Sequence, residues 1–280
     1  MTFKKIFLTA GIIVASAISA SATEIIVDNA PGVPNGTAGA FSYIGKGSSN
    51  DHMGGDAYDI YSMAVSRVNG MMTVKINTKF VNYNTQSNID FGDLFMSTEG
   101  VNGGPVWDPT GNAGNGYTGN NGDNAFTTGT QWDYVYDLGG AGRQLTGNNI
   151  NNSSAQLHEL NDYDLNDASD EDNFKYGTSR DPGTHLYRVE DESAAYANSF
   201  GGGSVETSTS NNYLQFVFDV SGTQLATAEQ IAFHWTMSCA NDIIQGVADF
   251  SKKVPEPAAV GLLLLGLTGI GFARRRIRTT

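Results

Sequence analysis

Two stretches of this 280-residue chain carry residue types spaced for chemistry. In "FHWTMSCAND", His234 precedes Cys239, the sole cysteine of the chain, by five residues. A thiol beside an imidazole would make a nucleophile and its base. Residues five apart on an extended strand point to opposite faces, however. The spacing therefore favours a structural cysteine and a hydrogen-bonded histidine, and a lone cysteine forms no intramolecular disulfide. Asn241 and Asp242 fit a turn that ends the strand, where such side chains bond their own backbone. In "DYDLNDASDEDN", Asp162, Asp164 and Asn166 alternate as in a calcium loop. Asp167 occupies the glycine position and Asn173 that of the bidentate glutamate, which excludes an EF-hand. A solvated acidic loop is expected, without metal or cofactor, leaving Asp162 and Asp164 as weak calcium candidates.

Other chemistries find less purchase. "HELND" from His158 to Asp162 lacks the second histidine of a zinc-protease helix. Neither a Gly-x-Ser-x-Gly elbow nor a phosphate loop occurs, and sequence sets no distance between carboxylates for glycoside hydrolysis. Trp107 and Tyr117, in glycine- and asparagine-rich stretches, are of the type that stacks on sugar rings.

The elements that would position these residues read as strands. "MMTVKINTKF" alternates, with Met72, Val74, Ile76 and Phe80 on one side and Thr73, Lys75, Asn77 and Lys79 on the other. Asn69-Gly70 before it is a strong two-residue hairpin signal. That turn pairs Val68 with Met71, Val65 with Val74 and Met63 with Ile76, so turn chemistry and apolar pattern agree. One-face patterns follow in "QWDYVYDL" (Trp132, Tyr134, Tyr136, Leu138), "YLQFVFDV" (Leu214, Phe216, Phe218, Val220) and "IAFHWTMS" (Ile231, Phe233, Trp235, Met237). "FGDLFMS" is apolar on both faces and reads as central. "SSAQLHEL" reads as the one short helix. Thirty-four glycines mark long loops between the strands. The expected fold is an all-β antiparallel sandwich, jelly-roll-like, in residues 23–253.

The two ends read as addresses. Lys4 and Lys5, an apolar run and Ala20-Ser21-Ala22 make a signal peptide over residues 1–22, cleaved after Ala22. At the other end "VPEPAAVGLLLLGLTGIGFARRRIR" holds an uncharged run, Ala258 to Ala273, of 16 residues. As a helix it would reach ~24 Å, against a hydrocarbon core of ~30 Å. Arg274, Arg275, Arg276 and Arg278 close it and hold that end in the cytoplasm. Pro255 and Pro257 keep Val254 and Glu256 extended, a shape that proteases bind. Between the two ends lie 28 acidic and 10 basic residues, a net charge of −18. Such a surface argues against nucleic acid as a partner.

Val254-Pro255-Glu256-Pro257, the apolar run and the arginines, in that order, resemble the PEP-CTERM sorting signal of Gram-negative bacteria. The resemblance, over residues 254–280, implies a transmembrane sorting helix. It also implies an exosortase-type membrane enzyme as partner, in hosts that often make exopolysaccharide. "HWTMSCAND" further resembles the "HWTMxCGND" segment of a subset of PEP-CTERM proteins, and "GDLFMST" from Gly92 their "GDLF" segment. His234, Trp235, Cys239, Asn241 and Asp242 are then expected to be structural. Ala240 replaces the glycine of that pattern, and a left-handed turn is harder for a residue with a Cβ.

Three functions compete on these grounds. The first is a non-enzymatic cell-surface or matrix protein of exopolysaccharide and biofilm, exported, held briefly in the inner membrane and then sorted. A carbohydrate-binding module using loop aromatics on polysaccharide is the second, and a secreted hydrolase the third. The first needs only the export machinery, an exosortase-type enzyme and the processing residues Ala20, Ala22, Val254, Pro255, Glu256, Pro257, Arg274, Arg275 and Arg276.

Overall fold

The structure, a computed structural model, describes residues 23–27, 56–83, 89–100, 104–107, 130–139, 143–146, 149–150, 154–161, 174–177 and 185–251. The signal-peptide residues, the sorting tail, the acidic loop with Asp162 and Asp164, and Tyr117 lie outside them. Among the described residues no helix is long and apolar enough to cross a membrane.

In chain order the strands are β1 (Glu24–Val27), β2 (Ile60–Val68), β3 (Met71–Thr78), β4 (Leu94–Ser97), β5 (Tyr134–Asp137), β6 (Leu145–Thr146) and β7 (Asn149–Ile150). They continue as β8 (Gln156–Leu160), β9 (Phe174–Gly177), β10 (His185–Val189), β11 (Tyr196–Ser208), β12 (Tyr213–Asp219), β13 (Gln230–Thr236) and β14 (Ile243–Asp249). Ten of them form one antiparallel sheet in the order β1-β2-β3-β12-β11-β8-β5-β4-β13-β14, while β9 pairs with β10 and β6 with β7.

The sheet doubles over along β11. The Gly203–Ser208 half of this long strand pairs with β12, whereas its Tyr196–Gly202 half pairs with β8, with a register shift between Ser199 and Gly202. The two halves of the sheet then face each other across one apolar core. Met63, Val74, Ile76, Phe216 and Phe218 from one half meet Met96, Tyr136, Phe233 and Trp235 from the other. Tyr136 stacks on Phe218 with ring centroids 4.6 Å apart. At the far side, Ile26 of β1 packs against Gly246 of β14. The expected antiparallel sandwich is therefore present, built from one folded sheet.

The hairpin takes the expected register, with Val68 opposite Met71, Val65 opposite Val74 and Met63 opposite Ile76. Asn69 and Gly70 both have positive φ, 51° and 80°, as a type I′ turn requires. β4 is buried on both faces and lies between β5 and β13, as its apolar composition implied. Phe80 is buried, but on a 3₁₀ turn (Lys79–Asn82) after β3 ends.

Two expectations are corrected. "SSAQLHEL" supplies strand β8, not a helix. Ladders to β5 and β11 satisfy its backbone from both sides, and its apolar side chains divide between two clusters. Trp132 does not share a face with Tyr134, Tyr136 and Leu138. It precedes β5, where strand alternation no longer applies, and packs with Val135 in a second apolar cluster outside the main core. That outer cluster lies between β4, β5 and β13 on one side and β9, β10 and Trp107 on the other, with Phe95, Phe174, Leu186 and Val189 among its members.

Candidate functional site

The two distinctive segments of the sequence meet in space. β13 pairs with β4, placing His234 opposite Phe95 and Phe233 opposite Met96. Trp235 donates its indole N–H to the Gly92 carbonyl at 3.0 Å. Gly92 must be glycine, because a Cβ there would lie 2.1 Å from the Thr236 carbonyl oxygen. Thr236 Oγ1 donates to the Asp242 carbonyl at 2.5 Å, closing the turn between β13 and β14. Asp242 does more than cap: one carboxylate oxygen accepts from its neighbour Ile243 N at 2.9 Å and the other from Ile60 N at 2.6 Å, across to β2. Asn241 is half-buried in the same turn. Ala240 is buried there with φ 50°, so the turn keeps its left-handed residue without the glycine.

Cys239 is half-buried against the main core, while His234 faces the outer cluster, so the two point apart. His234 is fully buried between three elements. Trp107 Nε1 donates to Gln245 Oε1 at 3.1 Å, Gln245 Nε2 lies 2.8 Å from His234 Nδ1, and His234 Nε2 lies 2.5 Å from the Leu186 carbonyl. Indole N–H can only donate, so Gln245 must turn its oxygen to Trp107 and its amide N–H groups to His234. Nδ1 is then an acceptor, and the one imidazole proton sits on Nε2 and is given to Leu186. Burial pushes the His234 pKa down to about 4, which matches a neutral ring. Trp107 is thus a buried partner in this relay, 5% exposed. Its expected role as an exposed sugar platform is corrected, because its ring fills the outer cluster.

A second buried assembly left no local signal in the sequence. Arg143 forks onto Asp93, with Nη1 to Oδ1 at 2.7 Å and Nη2 to Oδ2 at 3.0 Å, and its Nη2 also reaches Asp137 Oδ1 at 2.9 Å. Asp93 further accepts from Leu138 N and Val189 N, each at 3.0 Å, so every acceptor direction of its carboxylate is used. Tyr196 donates to Asp137 Oδ2 at 2.7 Å, and its ring stacks on His158 at 3.7 Å. His158 Nδ1 lies 2.9 Å from Ser199 Oγ. One guanidinium between two desolvated carboxylates leaves excess negative charge, and burial pushes Asp93 up to about 7 against the pull of Arg143. Burial lowers His158. Tethering β10 through Val189 and the end of β5 through Leu138, this assembly holds the layers together.

The described surface also carries a polar cleft of about 320 Å³ lined by Glu99, Asp133, Tyr134, Glu159, Asn161 and Gln224 among others. Asp133 is held with its Oδ2 accepting from Thr98 N at 2.7 Å and Glu99 N at 3.1 Å. Burial raises its pKa and these bonds oppose the rise. Among the described residues no three His, Cys, Asp or Glu side chains are placed to hold a metal ion. The cleft offers carboxylate and amide groups to a ligand rich in hydroxyls.

Comparison with curated proteins and with solved structures gives no match. A family model does match: residues 253–277 fit the PEP-CTERM protein-sorting motif. The match takes in Val254 to Pro257, the apolar run and Arg274, Arg275 and Arg276, beginning one residue before the expected 254. The chain carries a PEP-CTERM sorting motif, the mark of an exported protein with a C-terminal membrane-anchoring tail that an exosortase-type membrane enzyme processes.

Proposed function

We propose that the exported body is a non-enzymatic cell-surface or matrix component, released from its tail into exopolysaccharide or biofilm. The sorting motif at residues 253–277 carries this reading. Two features of the body support it. The polar side chains His234, Trp235, Thr236 and Asp242 are spent on bonds between strands. The charge of −18 between the two ends suits a hydrated extracellular polymer. Secretion through the general export machinery and cleavage after Ala22 complete the route. Mass spectrometry of both termini in envelope and medium fractions tests it, joined to co-sedimentation with purified exopolysaccharide. A body with Thr23 at its start and the tail removed, found with the polymer, is the expected result. A tail-bearing chain in both fractions, or no polymer association, refutes it.

The cleft favours a second reading, a saccharide-binding module that uses Asp133, Glu159 and Gln224 in place of loop aromatics. Oligosaccharide titration of the wild type against Glu159→Gln tests it. Binding weakened by the variant supports the reading, equal binding removes the cleft from it, and release of shortened sugars would favour a hydrolase.

A further inference from the structure

The relay that fixes His234 has room for one imidazole proton and no more. Protonating Nδ1 would set an N–H against the Gln245 amide N–H. If Gln245 flipped to offer its oxygen to His234, its NH₂ would meet the Trp107 indole N–H, again donor against donor. A second proton on His234 therefore breaks the chain of bonds at one link or the other, and a buried donor left unpaired is costly. Those links hold the Trp107 segment over β14, whereas the bond to Leu186 of β10 keeps its Nε2–H donor in either state.

We propose that the Trp107–Gln245–His234–Leu186 relay is an acid-operated latch, whose protonation frees the Trp107 segment while the main core stays folded. Among the described side chains, the charged groups on the surrounding elements are engaged elsewhere. Asp133 bonds Thr98 and Glu99, Asp242 bonds Ile60 and Ile243, and Asp249 bonds Ser251. On the hairpin, Arg188 and Lys175 pair with Glu190. Asp93, which holds Val189 of the hairpin, works in the opposite direction, since burial raises its pKa to about 7 and proton uptake there favours the folded form as pH falls. With burial holding His234 far below the ordinary histidine range, the open form takes up the proton first. Closure weakens as pH falls from about 6.5 towards about 4. The latch also bears on the polar cleft, because Trp132, whose ring lies 5.5 Å from that of His234, lines both the outer cluster and the cleft.

Hydrogen exchange by mass spectrometry on the full chain, corrected for the intrinsic effect of pH, tests the proposal. Between pH 7 and pH 4.5 the peptides over residues 104–107 should exchange at least ten-fold faster, with residues 62–76 unchanged. His234→Gln, which keeps a donor for Leu186 but cannot titrate, should lose the acid step at 104–107. Gln245→Glu should lose it as well, since a carboxylate accepts from Trp107 and from protonated His234 together. Should His234→Gln fail to fold, the wild type against Gln245→Glu decides. The proposal falls if residues 104–107 and 62–76 open together. It also falls if the folded variants keep the wild-type step.

Discussion

Asp242 Oδ2 accepts the backbone N–H of Ile60 at 2.6 Å, tying the turn after β13 to the start of β2. The two residues lie 182 positions apart in the chain, and the bond joins the two faces of the folded sheet. Asp242→Ala would leave the Ile60 and Ile243 donors buried without an acceptor. A loss of about 2–4 kcal/mol follows from two charge-assisted bonds of this kind. Urea denaturation checks it, and a loss under about 1 kcal/mol would count against the tie.

Ala240 has φ 50° and is buried, so two effects oppose each other when its methyl is removed. Leaving the left-handed region relieves roughly 1–2 kcal/mol, while lost burial and a freer unfolded chain cost a similar amount. Ala240→Gly should be close to neutral. Ala232→Gly, at an extended and equally buried position of β13, should cost at least about 1 kcal/mol more. Equal costs for the two would contradict the strain argument.

Gly70 sits at φ 80° in the hairpin turn, where a Cβ would also come within 2.3 Å of Ser221 Oγ. Gly70→Val should lower the melting temperature by several degrees, the effect of about 1–3 kcal/mol. An unchanged melting curve would remove the turn assignment.

Arg143→Ala should be among the most damaging single changes, at about 3–5 kcal/mol, because it strands two buried carboxylates. The sign of its pH dependence follows. Without the guanidinium the Asp93 carboxyl, already raised to about 7, rises further. A raised folded-state pKa gives stability that is present in acid and lost as pH rises. The variant should therefore recover stability between pH 8 and pH 5 relative to wild type, measured by denaturation at each pH.

Replacing Pro255, Glu256 and Pro257 together with alanine should stop tail processing while leaving insertion intact. The apolar run and Arg274, Arg275 and Arg276 remain, and moving each guanidinium through the hydrocarbon costs about 2.5–3.5 kcal/mol. A membrane-bound chain with its tail attached should accumulate in envelope fractions. Release at the wild-type mass and rate would remove these residues from the processing step.

Local chemistry made part of this protein readable from its sequence. The Asn69-Gly70 hairpin was legible to the residue, because turn type and two-residue alternation are set by neighbours in the chain. The double-sided burial of β4 and the inner faces of β12 and β13 followed for the same reason. The tail is a linear signal, recognised in extended form, and so it is written in order along the sequence. Other features needed the fold. "SSAQLHEL" became a strand because β5 and β11 offered its backbone ladders on both edges, which local propensity does not record. Trp107 looked like a free aromatic, and Trp132 a partner of Tyr134 and Tyr136, until the outer layer closed over both. Arg143 stands among glycines, 50 residues from Asp93, and nothing near either announces the other. The proton on His234 depends on Gln245 and Trp107, one from the next strand and one from a distant loop. Burial and hydrogen bonding are properties of the space around a side chain, and that space is filled by residues the local sequence does not name.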